Sequence, residues 1–346
     1  MQLLKKLGLI FGVGMFTTVS HAAQDYVAPQ IRLPMMATAP TIDGTINTDE
    51  WKDADRMEGF GRQAPLAPMD ASFWVGATAK ELFIAVRSQT PPGGKLLTRV
   101  NPAPDDTDAR AYLDDSVEII FDPLRYLGTD KTCRRKLYHL ITNAKGAIYD
   151  QSYSLAGGGE AWRGDWKIAN SVKDDHWDCE IAIPWSSFGV TATDLTHPIG
   201  LRIGRNWKQT SLASQTEWSP LGGAYLTPES MPVVTFDANA PIVKVLSMRD
   251  ETGTKPEPKV SLFNPGKSLL KVLFKLDVVP KNSAPTHANE TVTLAPGETK
   301  IITTPATGTG SEDLYTNIVV SSPEESTIYY QRNFSWQAQK PETIFM

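Results

Sequence analysis

Apolar and polar positions alternate along most of this chain. In ASFWVGATAKELFIAVRSQ (71–89) two alternating stretches flank a turn centred on Lys80, which predicts a β-hairpin. The run DSVEIIFD (115–122) predicts a strand with Val117, Ile119 and Phe121 on a core face and Ser116, Glu118 and Ile120 on the other. The same period of two recurs in KLYHLITNA (136–144), AIYDQSYS (147–154), DWKIANSV (165–172), HWDCEIAIP (176–184) and IGLRIGRNW (199–207). Turn residues stand between neighbours at 143–146 (NAKG) and 173–175 (KDD). Only two stretches predict helix: TDEWKDA (48–54), capped by Thr48 or Asp49, and a single turn at WSSF (185–188). Short strands at this spacing predict an all-β fold, an antiparallel β-sandwich.

A boundary is expected near DANAP (237–241). Beyond it VKVLSM, KVSLFNPG, LLKVLFKLDVVP, NETVTLAPGETKIITT, YTNIVVSS and STIYYQRNFSW give six or seven strands with Pro and Gly at the turns. That predicts a second, immunoglobulin-like β-sandwich over 241–346. LAPGETK resembles the strand-turn-strand of adhesion-type immunoglobulin-like modules on exported bacterial proteins.

The chain opens MQLLKKLGLIFGVGMFTTVSHAA: two lysines, an apolar run, then small residues at Ser20 and Ala22. This reads as a signal peptide over residues 1–22, cleaved to leave a secreted or periplasmic protein. No other stretch approaches the roughly 18 apolar residues that span a bilayer, so no membrane association is expected after cleavage. Acidic residues outnumber basic ones, 39 to 34. That excess argues against nucleic acid or an anionic membrane surface as a partner. Cys133 and Cys179 are the only cysteines. They either pair in an oxidising compartment, closing a loop of about 45 residues, or serve as two small core side chains.

Five motifs arrive in a recognisable order: APTIDGTINTDEW (39–51), FWVGATAKELFIAVRSQ, DDSVEIIFD, HWDCEIAIPW and IGLRIGRN. Together they resemble the family 9 carbohydrate-binding modules and their relatives from about Pro40 to Phe236, which sets the first domain at 30–236. The resemblance implies an antiparallel β-sandwich of the kind that accompanies glycoside hydrolases, binds oligo- or polysaccharide and contains structural Ca²⁺. It implies that two aromatic side chains clamp a sugar ring, at Tyr112 and Tyr225, where tryptophan is more usual. It places Glu118 as a carboxylate accepting hydroxyl hydrogen bonds and His139 as a basic contact. A sugar has apolar C–H faces and a polar rim, so this mixture of rings and fixed polar groups suits it. Ile141, Gly204 and Gly222 stand where other members carry polar sugar contacts, and Arg205 and Asn206 on the adjacent strand are the candidates to substitute.

Each of these residues also has a plainer reading. The alternatives are packing for Tyr112 and Tyr225, an ion pair with an arginine on a solvated face for Glu118, and a satisfied structural role for His139. Trp51, Trp74, Trp185 and Trp218 are expected in the core. The hard-oxygen side chains Asp43, Asp49 and Glu50 are the calcium candidates, with helix capping as the alternative.

Once two sandwiches are counted no catalytic domain remains, so the chain is expected to be a non-catalytic binder partnering a glycoside hydrolase. Two other classes stay open. One is a haem-binding redox domain of the same broad superfamily, with His139 and Met231 as conceivable ligands. The other is a degenerate module acting as an adhesion or assembly element.

Overall fold

The computed structural model describes residues 27–61, 70–91, 95–103, 108–125, 136–154, 159–191, 194–208, 215–219, 228–253, 255–304 and 313–337. Tyr225, Gly222 and Cys133 fall outside them, as do residues 1–26. The described chain forms twenty strands. The first ten are β1 (Gln30–Leu33), β2 (Asp55–Glu58), β3 (Ala71–Ala77), β4 (Glu81–Gln89), β5 (Ser116–Asp122), β6 (Lys136–Asn143), β7 (Ile148–Ser154), β8 (Gly159–Ala161), β9 (Lys167–Val172) and β10 (His176–Pro184). Then come β11 (Ile199–Asn206), β12 (Gln215–Glu217), β13 (Val233–Phe236), β14 (Ile242–Arg249) and β15 (Pro256–Phe263). The last are β16 (Leu270–Pro280), β17 (Thr286–Leu294), β18 (Thr299–Thr303), β19 (Leu314–Ser321) and β20 (Ile328–Trp336).

The fold is all-β. One sheet runs β17-β16-β19-β20-β1-β13-β11-β5-β6-β7-β8, with β12 attached to β11, and the other β18-β15-β14-β2-β3-β4-β10-β9. Pairing is antiparallel except at β1–β13 and β14–β2, so both sheets are mixed. Neither sheet stops at residues 237–241. Ile31 on β1 faces Tyr330 on β20, and Arg56 on β2 faces Lys244 on β14. A single apolar cluster accordingly joins Phe73, Ile119 and Ile203 with Val272, Phe274 and Tyr330.

The β3–β4 hairpin pairs Phe73 with Val86 and Val75 with Ile84, the period-two register its sequence predicts. Trp51, Trp74, Trp185 and Trp218 are all buried. WSSF forms one 3₁₀ turn over Trp185–Phe188. The stretch 48–54 is not a helix but a run of turns, and Asn47 organises it. The Asn47 carbonyl accepts from the amides of Glu50 and Trp51, both at 3.1 Å, and its side-chain Oδ1 accepts from Asp49 N at 3.0 Å. Thr48 and Asp49 therefore do not cap. An asparagine one position earlier supplies the local acceptor, and Trp51 is drawn into the core before a second helical turn can form.

Cys179 is a free thiol on β10, fully buried, and burial pushes its pKa up. Among the described residues no helix is long and apolar enough to cross a membrane.

Candidate functional site

On β5 the inner residues Val117, Ile119 and Phe121 join the core, so Ser116, Glu118 and Ile120 point to the outer face of the larger sheet. Register fixes what surrounds them. Glu118 lies opposite Gly204 on β11 and Ile141 on β6, while Ile120 lies opposite His139. His139 Nε2 meets Glu118 Oε1 at 2.7 Å, and Asn206 Nδ2 donates to Glu118 Oε2 at 2.7 Å and to Ser116 Oγ at 3.3 Å. Three strands thus supply one polar cluster, nearly buried, with Glu118 at 6 % exposure and His139 at 8 %. Each carboxylate oxygen has a donor and one lone pair to spare, which orients Glu118 for a further donor. His139 Nδ1 has no hydrogen-bond partner among the described residues.

Aromatic rings lead from this cluster to the surface. Tyr112, on the 3₁₀ turn Ala111–Leu113, is 39 % exposed. Its ring meets Tyr149 edge-on at 5.3 Å, and Tyr149 in turn stands edge-on to His139 at 6.1 Å. Tyr153 lies 6.1 Å from His139 on the other side. Tyr149 and Tyr153 come from alternate positions of β7, with Gln151 between them accepting the Tyr153 hydroxyl at 2.9 Å. Burial, then the neighbouring Tyr153, push the Tyr149 phenol upward, so it stays a neutral hydroxyl at physiological pH.

The two aspartates ahead of the strand position its entry. Asp114 Oδ2 accepts from Val100 N at 2.7 Å and Asn143 Nδ2 at 2.9 Å, and Asp115 accepts from Leu97 N at 2.8 Å and Lys208 N at 2.7 Å. Burial pushes the Asp114 carboxyl up, but these donors and Arg99 outweigh it and hold the group below its ordinary value. Both carboxylates are spent on tying loops to the start of β5, which fixes the turn that carries Tyr112.

Of the sequence-predicted site residues, the structure brings together Glu118, His139 and Asn206, and links Tyr112 to them only through Tyr149. It does not bring Arg205 to them. Arg205 pairs in register with Val117 and so points inward. There its guanidinium lies over the Trp207 ring at 5.0 Å and donates to the Asp70 carbonyl at 2.9 Å. Desolvation lowers its pKa to about 9. Adjacent strand residues face opposite ways, so Arg205 and Asn206 cannot both serve one face. Ile141 is buried with Ala109 and Ala111 beneath the Tyr112 turn, a packing role. Met231 packs fully buried on Ile120 and Leu137.

Of the calcium candidates Asp43, Asp49 and Glu50, two each spend one carboxylate oxygen on a nearby backbone amide. Asp43 Oδ1 accepts from Thr45 N and Glu50 Oε2 from Thr41 N, both at 2.8 Å. Among the described residues no three His, Cys, Asp or Glu side chains group to hold a metal. The motif containing Asp43 has another use. Glu180, fully buried on β10, accepts from the amides of Asp43 (3.0 Å) and Gly44 (2.8 Å) and from the Trp51 indole (2.8 Å). IDG, the following tryptophan and the glutamate of EIAIPW are therefore one structural lock.

No family model matches this chain, and no curated protein matches it, so the resemblance to family 9 modules rests on the residues alone. Among solved structures it is similar to a "putative carbohydrate-binding protein" of Bacteroides uniformis, at 14 % identity and a TM-score of 0.48, covering 61 % of this chain and 100 % of that one. A DUF4785 family protein of Legionella pneumophila follows at 9 % identity and TM-score 0.21, covering 79 % of this chain and 56 % of that one. The β-glucuronidase of Bacteroides uniformis gives 9 % and 0.20, covering 73 % of this chain and 26 % of the enzyme. At these identities and scores the likenesses carry no weight for function.

Proposed function

We propose that this chain is a non-catalytic, exported carbohydrate-binding protein that serves a glycoside-hydrolase system. Its ligand is an oligo- or polysaccharide received on the Tyr112–Tyr149–His139–Glu118 face. The observation that carries the reading is an exposed tyrosine ring linked through Tyr149 and His139 to a carboxylate whose two oxygens are engaged by His139 and Asn206. An exposed ring offers an apolar surface to the C–H face of a pyranose, and an oriented carboxylate accepts from a ring hydroxyl. Tyr225, the proposed second wall of a clamp, lies outside the described residues.

The absence of a catalytic role is part of the proposal. Both Glu118 oxygens are engaged, Oε1 with His139 Nε2 and Oε2 with Asn206 Nδ2, an arrangement that suits an acceptor for a sugar hydroxyl. A disaccharide of about two dozen heavy atoms at ~0.3 kcal/mol per atom would bind with ~7 kcal/mol, in the micromolar range. The test is a glycan array probed with the purified protein. Binding to a coherent set of related glycans supports the reading, and an array with no glycan bound above background contradicts it.

A further inference from the structure

A cavity of about 380 Å³ opens at the other side of β7 from Tyr149, lined by Pro102, Ile148, Arg163, Gly164, Asp165 and Trp166 among others. The loop that walls it is held by a single carboxylate. Asp150 has no exposed surface, yet it accepts from the Gly164 amide at 2.8 Å, the Trp166 indole at 2.9 Å and Arg163 Nη1 at 2.5 Å. Arg163 reaches Asp108 as well, at 3.2 Å. Three donors of one short loop thus converge on one buried acceptor, and the loop's ring and charged groups are set before any ligand arrives. Asp165, by contrast, exposes its side chain at the rim.

We propose that this cavity is a separate subsite for one neutral sugar unit, a ligand class that rests on the saccharide reading above. Its size lies in the range of small-molecule sites, about 300–1,000 Å³. Trp166, Ile148 and Pro102 give it an apolar side, and Asp165 and Arg163 give it an acceptor and donors, the mixture a pyranose presents in reverse. Charge argues against the acidic alternative. Arg163 pairs with both Asp108 and Asp150, and Asp165 lines the same cavity, so among these four groups carboxylates outnumber the guanidinium three to one and disfavour uronates and sulfated sugars.

The experiment is a titration of the full protein with methyl glycosides of glucose, galactose, mannose and xylose, followed by NMR of the Trp166 indole and the Gly164 amide. Saturable shifts of these two signals are expected, persisting in Tyr112→Ala and weakened at least tenfold in Asp165→Ala, whose side chain makes none of the Asp150 bonds. Methyl glucuronide is expected to leave them unmoved. Shifts near Tyr149 with Trp166 and Gly164 silent would overturn the subsite and leave the first face standing. Shifts at Trp166 alone would support the subsite and count against the Tyr112 face. Silence at both would overturn both, and equal shifts in Asp165→Ala would overturn the subsite.

Discussion

Asp55 sits on β2 with no exposed surface, its Oδ1 accepting the Val243 amide at 2.9 Å while Oδ2 meets no donor among the described residues. Burial pushes its carboxyl well above the ordinary value, and the Val243 amide and Lys244 pull it back by less. The folded pKa is therefore the higher one. The folded chain keeps a proton that the unfolded chain releases above about pH 4, so stability is full below that point and falls as pH rises through the raised value. Asp55→Asn keeps an acceptor for Val243 and removes the titration. Urea midpoints measured from pH 4 to 8 are expected to fall for the wild type and to fall less for Asp55→Asn; parallel profiles would refute this. At the Tyr112–Glu118 face the same scale shows what alternation conveys. Glu118 and His139 were legible as outward-facing because each sits in a clear period-two strand. Arg205 was misassigned against that same period, since its neighbour Asn206 already occupied the outer face. Tyr149 and Tyr153 were missed, although their spacing around Gln151 was a signal; only the β6–β7 register shows that they flank His139.

The lock around Glu180 makes its prediction at the scale of elements. Gly44 has φ +90°, and a Cβ there would stand 2.7 Å from the backbone carbon of Asn170 on the edge strand β9. Gly44→Ala is expected to destabilise by about 2 kcal/mol or more, from the left-handed backbone and the clash together. Trp51→Phe keeps most of the apolar volume but removes one donor from a buried carboxylate, at a cost of about 1–3 kcal/mol. Denaturation of both variants checks the pair; unchanged midpoints would mean that the loop does not depend on Glu180. Longer strands were legible because they hold several alternations. The strands β1, β2, β8, β12 and β13 were not, because three or four residues carry at most two. Their pairing is decided by distant partners, as when β1 lies parallel to β13 and antiparallel to β20. The 48–54 stretch had helical capping residues in its sequence, and the burial of Trp51 overrode them.

For the whole molecule, the sequence marks a boundary near residue 240 that the sheets cross. Arg332, on β20, is fully buried and donates to the carbonyls of Glu58 and Gly59, more than 270 positions earlier in the chain. Two mixed sheets with a shared apolar cluster predict that the chain unfolds as one unit. Calorimetry is expected to give a single transition whose calorimetric and van't Hoff enthalpies agree. Two separated transitions would show that the segments before and after 237–241 melt independently. Composition could not convey this, since a boundary in loop residues looks the same whether or not the strands beyond it pair back.

The claim that the Tyr112 face binds saccharide is tested most directly by calorimetric titration of an array-positive oligosaccharide into the wild type and Tyr112→Ala, with melting measured on the same samples. Tyr112 is exposed and supports little core, so its loss is expected to weaken binding at least tenfold and to move Tm by less than about 2 °C. Undiminished affinity in a folded Tyr112→Ala protein would contradict the account.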